Sequence, residues 1–287
     1  MQEILMLIFN KKSDLSAFLS PFINQNKSIG FVPTMGALHE GHLSLLKNSL
    51  SENDITVMSI FVNPTQFNNA EDLDKYPRTL ERDVQIMLAL SNSIIVYAPE
   101  VEDIYEGNTV SENFEYDGLE NQMEGKHRPG HFDGVGTIVK RLFEIVQPNK
   151  AYFGEKDFQQ LQIVKKLVSK YNIPVEVIGC PIHREPNGLA MSSRNERLSA
   201  IAKEKAAIIY QILSDAKKLF QTNSAEETIL FVENEFKKHP EFQLEYFEIA
   251  DEATLLPVSQ KVSDKKYRGF IAIFIENIRL IDNISLN

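Results

Sequence analysis

Ile29-Gly30-Phe31-Val32-Pro33-Thr34-Met35-Gly36-Ala37-Leu38-His39-Glu40-Gly41-His42 runs from an apolar stretch through a glycine turn into the start of a helix. Ile29 to Pro33 follows the polar Asn24–Ser28 stretch and reads as a buried strand. Gly36 punctuates a loop, and Leu43, Leu45, Leu46 and Leu50 then open a helical pattern. A strand that turns through glycine into a helix is the first half of a βαβ unit, and it predicts further strands and helices in alternation.

Outward from this stretch the alternation continues. Ile55 to Val62 is a second run rich in β-branched and aromatic residues, ended by Asn63-Pro64. Leu80 to Leu90 has helical spacing, and Ile94 to Tyr97 is another strand. Phe132, Val135, Ile138, Val139, Leu142, Phe143 and Val146 follow the i, i+3, i+4, i+7 pattern of an amphipathic helix, which Pro148 stops. Ala151 to Phe153, Phe158 to Val168 and Val175 to Ile178 read as strand, helix and strand. Such alternation predicts an α/β fold, a parallel sheet with helices on both faces. Beyond Cys180 the character changes. Pro181, Pro186, Asn187 and Gly188 mark a loop, taken as the boundary between domains 1–180 and 181–287. Helical segments around Ala206–Phe220 and Ala225–Phe236, then strands at Tyr246–Ala250, Phe270–Ile275 and Arg279–Ile281, predict a smaller α+β C-terminal domain.

The totals bound the function. The chain has 287 residues, which at ~150 per domain means roughly two domains, and 43% apolar content is enough for a real core. A single cysteine, Cys180, excludes an intramolecular disulfide. A net charge of -10 without a strong basic run argues against a nucleic-acid footprint. The apolar stretch Ile4–Phe9 is too short for a signal-peptide core and is preceded by Glu3, and no run approaches the ~18 residues of a membrane span. The expectation is a cytoplasmic protein with small-molecule partners.

Four polar segments lie just after strands or in the interdomain loop, where open parallel sheets bind ligands. In the first, Pro33 to His42, a helix N-terminus offers free N–H groups and a positive dipole end to a polyphosphate. His39 and His42 are three apart, so both rings can face one ligand. The order H-E-G-H is one residue shorter than the zincin pattern, so the metal reading fails and no protein metal site is expected. In the second segment, Asn63 and Gln66 place uncharged amides beside aromatics, suited to hydroxyl and carboxylate oxygens; taken alone, the segment is better read as a plain Asn-Pro turn. The third, Gly154-Glu155-Lys156-Asp157 with Gln159 and Gln160, puts a cation where a strand gives way to a helix. The fourth, Gly188 to Asn195, combines two hydroxyls and a guanidinium in the hinge. A fifth, Lys126 to Phe132, is locally basic in an acidic chain, and its Arg128 and His131 have no assigned role.

PTMGALHEGH, FVNPTQF, RPGHFDGV, YFGEKDFQQL and GLAMSSRNERLS, in this order, resemble the pantoate–β-alanine ligase family of the nucleotidylyl-transferase superfamily. The likeness runs from about Gly30 to Leu198. It implies a Rossmann-like N-terminal domain, a C-terminal lid, magnesium and a homodimer. It also implies a reaction in which ATP, (R)-pantoate and β-alanine give pantothenate, AMP and pyrophosphate through a pantoyl adenylate. Carried over by position, Met35, Gly36, Ala37, Leu38, His39, Glu40, Gly41 and His42 would bind ATP, with His42 as proton donor and His39 on the phosphates. Gly154, Glu155, Lys156 and Asp157 would hold ATP, and Met191, Ser192, Ser193 and Arg194 would close over it. His183 matches a nucleotide-contacting position that is often Val in relatives, which fits a backbone contact. Gln66 would contact pantoate and β-alanine with Asn63 beside it, and Gln160 would bind pantoate. His39, His42, Lys156, Arg194 and Mg²⁺ would stabilise the charge that builds at the phosphates. Mg²⁺ would be held mainly by those phosphates, with Asp83 nearby through water. Transfer of a nucleotide to a phosphate ester, and ATP binding without catalysis, are the competing readings; pyrophosphate release with an acid and an amine separates them from the ligase.

Overall fold

The computed structural model describes residues 6–68 and 70–287, so Ile4 and Leu5 of the N-terminal apolar stretch lie outside the described residues. In chain order the elements are β1 (Leu7–Phe9), α1 (Lys12–Asn24), β2 (Ile29–Thr34), α2 (Glu40–Glu52), β3 (Ile55–Ile60), α3 (Ala70–Asp74), α4 (Leu80–Leu90), β4 (Ile94–Tyr97), α5 (Val101–Tyr105), α6 (Met123–His127) and α7 (His131–Val146). They continue with β5 (Lys150–Gly154), α8 (Phe158–Lys170), β6 (Glu176–Cys180), α9 (Ala200–Lys205), α10 (Ala207–Phe220), α11 (Ala225–Phe236), β7 (Phe242–Asp251), β8 (Tyr267–Ile275) and β9 (Ile278–Ser285). Short 3₁₀ turns come after β3 and β5, at Pro64–Gln66 and Glu155–Asp157.

Among the described residues two compact units form. One comprises the chain up to Tyr116, Arg128–Glu155 and Ile163–Pro181; the other comprises Asp117–His127, Lys156–Gln162 and Ile182–Asn287. The expected division at residue 181 follows the chain. Contacts also place Asp117–His127 and Lys156–Gln162 in the second unit, because their side chains are held by strands that lie more than a hundred residues later, as when Arg279 grips Glu124.

In the first unit six parallel strands take the order β1-β4-β3-β2-β5-β6. Helices cover both sides of the sheet, as the alternating pattern requires. β2 shows why. Phe31 meets Phe143 of α7 edge-on at 6.2 Å, while Val32 lies in the core with Leu43 and Leu46 of α2. Successive side chains point to opposite faces, so a strand covered twice must be apolar throughout, and Ile29, Phe31 and Val32 are all fully buried. The strand order reverses at β2, whose neighbours are β3 and β5, and this is where a doubly wound sheet opens a crevice.

The second unit carries an antiparallel sheet β7-β8-β9 packed by α10 and α11. Leu213, Phe220, Val232 and Phe236 bury against Phe247, Ile271 and Ile273. A capping box starts α11: the Ser224 hydroxyl accepts from the Glu227 N–H at 3.1 Å, and the Glu227 carboxylate accepts from the Ser224 N–H at 2.8 Å.

Two early elements, β1 and α1, carry signals too weak to read from the sequence. β1 is three residues long and pairs with β4 at the sheet edge. α1 buries Leu15 and Leu19 at i, i+4 spacing despite Pro21 in its interior.

Gly30 faces α2, where an added Cβ would lie 2.2 Å from Ser49 Oγ and 2.5 Å from Asn53 Nδ2. Asn53 donates to Tyr152, so the pair has no slack. Gly30→Ala should therefore lower the stability by about 1–3 kcal/mol, read as a reduced urea midpoint with unchanged slope. An unchanged midpoint would mean that α2 can shift freely.

Candidate active site

The turn between β2 and α2 is built from two consecutive left-handed residues, Gly36 at φ 84° and Ala37 at φ 51°. This conformation aims the N–H groups of Ala37 and Leu38 at one point, where the fully buried carboxylate of Asp83 accepts them at 2.9 and 2.8 Å. The Thr79 hydroxyl lies 3.2 Å from both carboxylate oxygens. Asp83 belongs to α4, four residues before the buried Met87, so it occupies a core-facing position of that helix. The amides of Ala37 and Leu38 lie in the turn ahead of the helix and are engaged by Asp83. Asp83 is a structural acceptor inside the turn.

The histidines take over as donors. His39 is the N-cap of α2, and its Nδ1 accepts from the Gly41 N–H at 3.1 Å. His42 Nδ1 in turn accepts from the His39 N–H at 3.3 Å. The rings lie 4.0 Å apart between centroids, tilted by 35°. An Nδ1 that accepts carries no proton, so the neutral rings hold theirs on Nε2. The sequence places two histidines three apart; the capping geometry makes both of them Nε2–H donors at the positive end of a helix.

The 3₁₀ turn Pro64–Gln66 sits in the same unit. Gln66 Nε2 donates to Met35 Sδ at 3.0 Å, which ties it to the histidine turn. Asn63, expected as a substrate contact, is 1% exposed. Its Oδ1 accepts from the Tyr105 hydroxyl at 2.6 Å, and its Nδ2 donates to Gly134 O at 3.1 Å and Gln66 Oε1 at 3.2 Å. Asn63 thus orients Gln66 and presents no open amide. Gly154 ends β5 with open space where a Cβ would stand.

The second unit holds the other candidates. Lys156 is half-buried, with Nζ 3.6 Å from Asp157 and its backbone carbonyl accepting from Asn283 Nδ2 at 2.9 Å. Arg268, stacked 4.0 Å over Phe158, donates to Asn283 Oδ1 at 2.6 Å, so the orientation of that amide is decided. Gln160 is half-buried, whereas Gln159 is buried and spends its amide on Glu124 N, Leu119 O and Gln122 O. His183 is exposed and its carbonyl accepts from Met191 N at 3.0 Å, closing a hairpin whose turn uses Gly188 at φ 94°. Arg184 anchors the hairpin through both oxygens of Asp282, at 2.6 and 2.9 Å, and stacks 3.8 Å over Tyr210. Burial pushes the Asp282 carboxyl up, against the Arg184 guanidinium that pulls it down. Ser192 caps the next 3₁₀ turn by accepting from Arg194 N at 3.3 Å; Ser193 is buried and Arg194 half-buried.

A family model for pantoate-beta-alanine ligase matches residues 7–285. The chain belongs to the pantoate-beta-alanine ligase family. It is 65% identical to the pantothenate synthetase of Flavobacterium psychrophilum over 98% of this chain and all of that protein. The pantothenate synthetase of Christiangramia forsetii is 54% identical over the same shares. The crystal structure of the Thermus thermophilus pantothenate synthetase superposes with a TM-score of 0.90 at 42% identity, covering 98% of this chain and 99% of that one. The Francisella tularensis pantoate-beta-alanine ligase, complexed with beta-gamma ATP and beta-alanine, matches at 37% identity and a TM-score of 0.80, with 98% of each chain covered.

For a ligase of this family, the residues that orient the motif groups carry weak sequence signals. Asp83 could be suspected as an acid on the buried face of an amphipathic helix, and Asp282-Asn283 as a break in the apolar alternation of β9. Among the described residues no group of three or more His, Cys, Asp or Glu is placed to hold a metal, and no helix is long and apolar enough to cross a membrane.

Asp83→Asn replaces a double acceptor by a group that must present an N–H to one of two N–H donors. It should cost about 1–3 kcal/mol in folding stability and raise the KM for ATP, because the histidine turn loses its anchor. An unchanged KM for ATP in a folded variant would separate Asp83 from the nucleotide site.

Proposed function

We propose that the chain condenses (R)-pantoate with β-alanine to pantothenate at the expense of ATP, by way of a pantoyl adenylate, and that His39 and His42 are the groups that meet the phosphates. The observation that carries this reading is the close, tilted imidazole pair, whose Nδ1 atoms are engaged by backbone amides and whose Nε2–H groups are therefore donors. In the first step a pantoate carboxylate oxygen bonds to the α-phosphorus while the bond to the departing pyrophosphate breaks. Negative charge moves onto the leaving oxygens, where preorganised donors act. His42, as proton donor, and His39 serve that charge through Nε2–H. Lys156 and Arg194 add positive charge. In the second step the free amine of β-alanine bonds to the acyl carbon, the bond to AMP breaks, and the amine gives up a proton.

Gln66 is proposed to read pantoate and β-alanine, with Asn63 holding Gln66, and Gln160 to read pantoate. Met35 to His42, Gly154 to Asp157, the backbone at His183, and Met191 to Arg194 are proposed to surround ATP. Mg²⁺ fits this chemistry as the ATP complex, since the described residues build no cage and Asp83 is engaged by the turn. When bound, the ion neutralises phosphate charge. The unit built around β7-β8-β9 is proposed as the lid, and the working form as a cytoplasmic homodimer. A monomer by light scattering at assay concentration would count against the dimer.

The deciding measurement is pyrophosphate release from ATP with pantoate, with and without β-alanine. We expect on the order of one equivalent per enzyme without amine and turnover with it, the burst pattern of a two-step route. His42→Ala and Lys156→Ala should slow the first step about 10²–10³-fold with the fold intact by circular dichroism. Release that needs β-alanine from the first turnover, or near-wild-type rates in either variant, would overturn the adenylate route or the assigned roles respectively.

A further inference from the structure

We propose that Arg128 and His131 are positioning residues that clamp the backbone carbonyl of Gln66, and that His131 performs this as one defined tautomer. The proposal rests on the reading of Gln66 as the pantoate contact.

Three contacts set the geometry. His131 Nδ1 lies 2.8 Å from Gln66 O, and Arg128 Nη2 lies 3.2 Å from the same oxygen. Arg128 Nη1 lies 3.2 Å from His131 Nε2. A carbonyl oxygen can only accept, so Nδ1 donates. A guanidinium can only donate, so Nε2 accepts. Both constraints select the same ring, neutral with its proton on Nδ1. This is the opposite tautomer to that of His39 and His42, whose Nδ1 atoms accept.

The clamp closes on a turn with no room to move. His131 is 6% exposed, at the first position of α7, and its ring packs 5.0 Å from that of Phe132. A Cβ on Gly134, one turn further, would stand 2.4 Å from Thr65 O and 2.8 Å from Gln66 Cα. The start of α7 therefore lies against the backbone of Thr65 and Gln66 at a distance only glycine allows. Asn63 bridges Gly134 O and Gln66 Oε1, and Asn68 Nδ2 donates to Pro129 O at 2.6 Å. Gln66 is thus held from its carbonyl side by Arg128 and His131 and from its amide side by Asn63. The basic string before α7 acquires a function that charge alone does not suggest: it sets the direction of a neutral side chain.

The test is steady-state kinetics on the full chain with pantoate and ATP varied in turn. His131→Phe keeps the ring volume and removes the donor. It should raise the KM for pantoate about tenfold while the KM for ATP stays within about twofold, since misplacing a substrate-orienting group is costly and local. His131→Asn, whose Nδ2–H stands near the lost Nδ1–H, should recover most of that loss. In a Gln66→Ala background His131→Phe should add less than about twofold, because the side chain it positions is gone. Equal effects on pantoate and ATP, or full additivity with Gln66→Ala, would overturn the clamp. If Gln66→Ala alone leaves the KM for pantoate unchanged, the assignment of Gln66 fails. The clamp is then judged by long-range ¹H–¹⁵N correlation of the His131 ring in the unliganded protein, where the Nδ1–H pattern upholds it and the Nε2–H pattern refutes it. Should His131→Phe not fold, Arg128→Leu replaces it: it removes the donors to both Gln66 O and His131 Nε2, and an unchanged KM for pantoate would count against the proposal.

Discussion

Two backbone N–H groups, those of Ala37 and Leu38, are turned inward by the left-handed residues Gly36 and Ala37, and a single buried carboxylate receives both. Buried amides must be satisfied, and a buried carboxylate must be hydrogen-bonded, so Asp83 and the turn require each other. The rest of the histidine site depends on this pairing. With the turn fixed, His39 is placed to cap α2. With the cap in place, Gly41 N and His39 N commit the two Nδ1 atoms, and Nε2 becomes the donor on each ring. The turn ahead of the helix is held by Asp83, and the helix start presents two imidazoles, groups that can donate a hydrogen bond and also release a proton.

The same economy recurs around the other motif residues. Asn63 and the pair Arg128–His131 act on Gln66, and Asn283 with Arg268 behind it acts on the carbonyl of Lys156. Arg184 and Asp282 hold the hairpin that precedes Met191 to Arg194. In each case a charged or amide side chain is spent on orientation inside the protein. This is what electrostatic catalysis asks of a scaffold, because donors that are already aligned need not reorganise as charge develops. The buried ion pair Arg184–Asp282 is better understood as an aligning device than as a source of stability, since desolvation offsets much of its Coulomb attraction.

How much of this the sequence discloses depends on the range of the interaction. The strands at Ile29, Ile55 and Ile94 and the helices at Leu80, Phe132 and Ala225 were legible because burial on a periodic surface leaves a periodic pattern. β1 escaped because three residues carry no period, and α1 because Pro21 interrupts its apolar spacing. Asn63 read as a substrate amide because a polar side chain at a strand end looks the same whether it faces a ligand or Gly134 O. The sequence gives no sign that Asp83 accepts from the Ala37 and Leu38 amides, for the same reason.

By itself the sequence determined the α/β alternation, the family and the set of chemical groups, since these rest on local periodicity and on motifs whose order survives without coordinates. Only the tertiary structure decided which nitrogen of His131 carries its proton, which amides are already engaged, and that Asp117–His127 and Lys156–Gln162 fold with the C-terminal strands. The physical reason is that a tautomer, an amide orientation and a unit boundary are each set by partners distant along the chain. Gln66 and His131 are 65 residues apart, and Lys156 and Asn283 are 127 apart. No local pattern records which of many polar residues will meet.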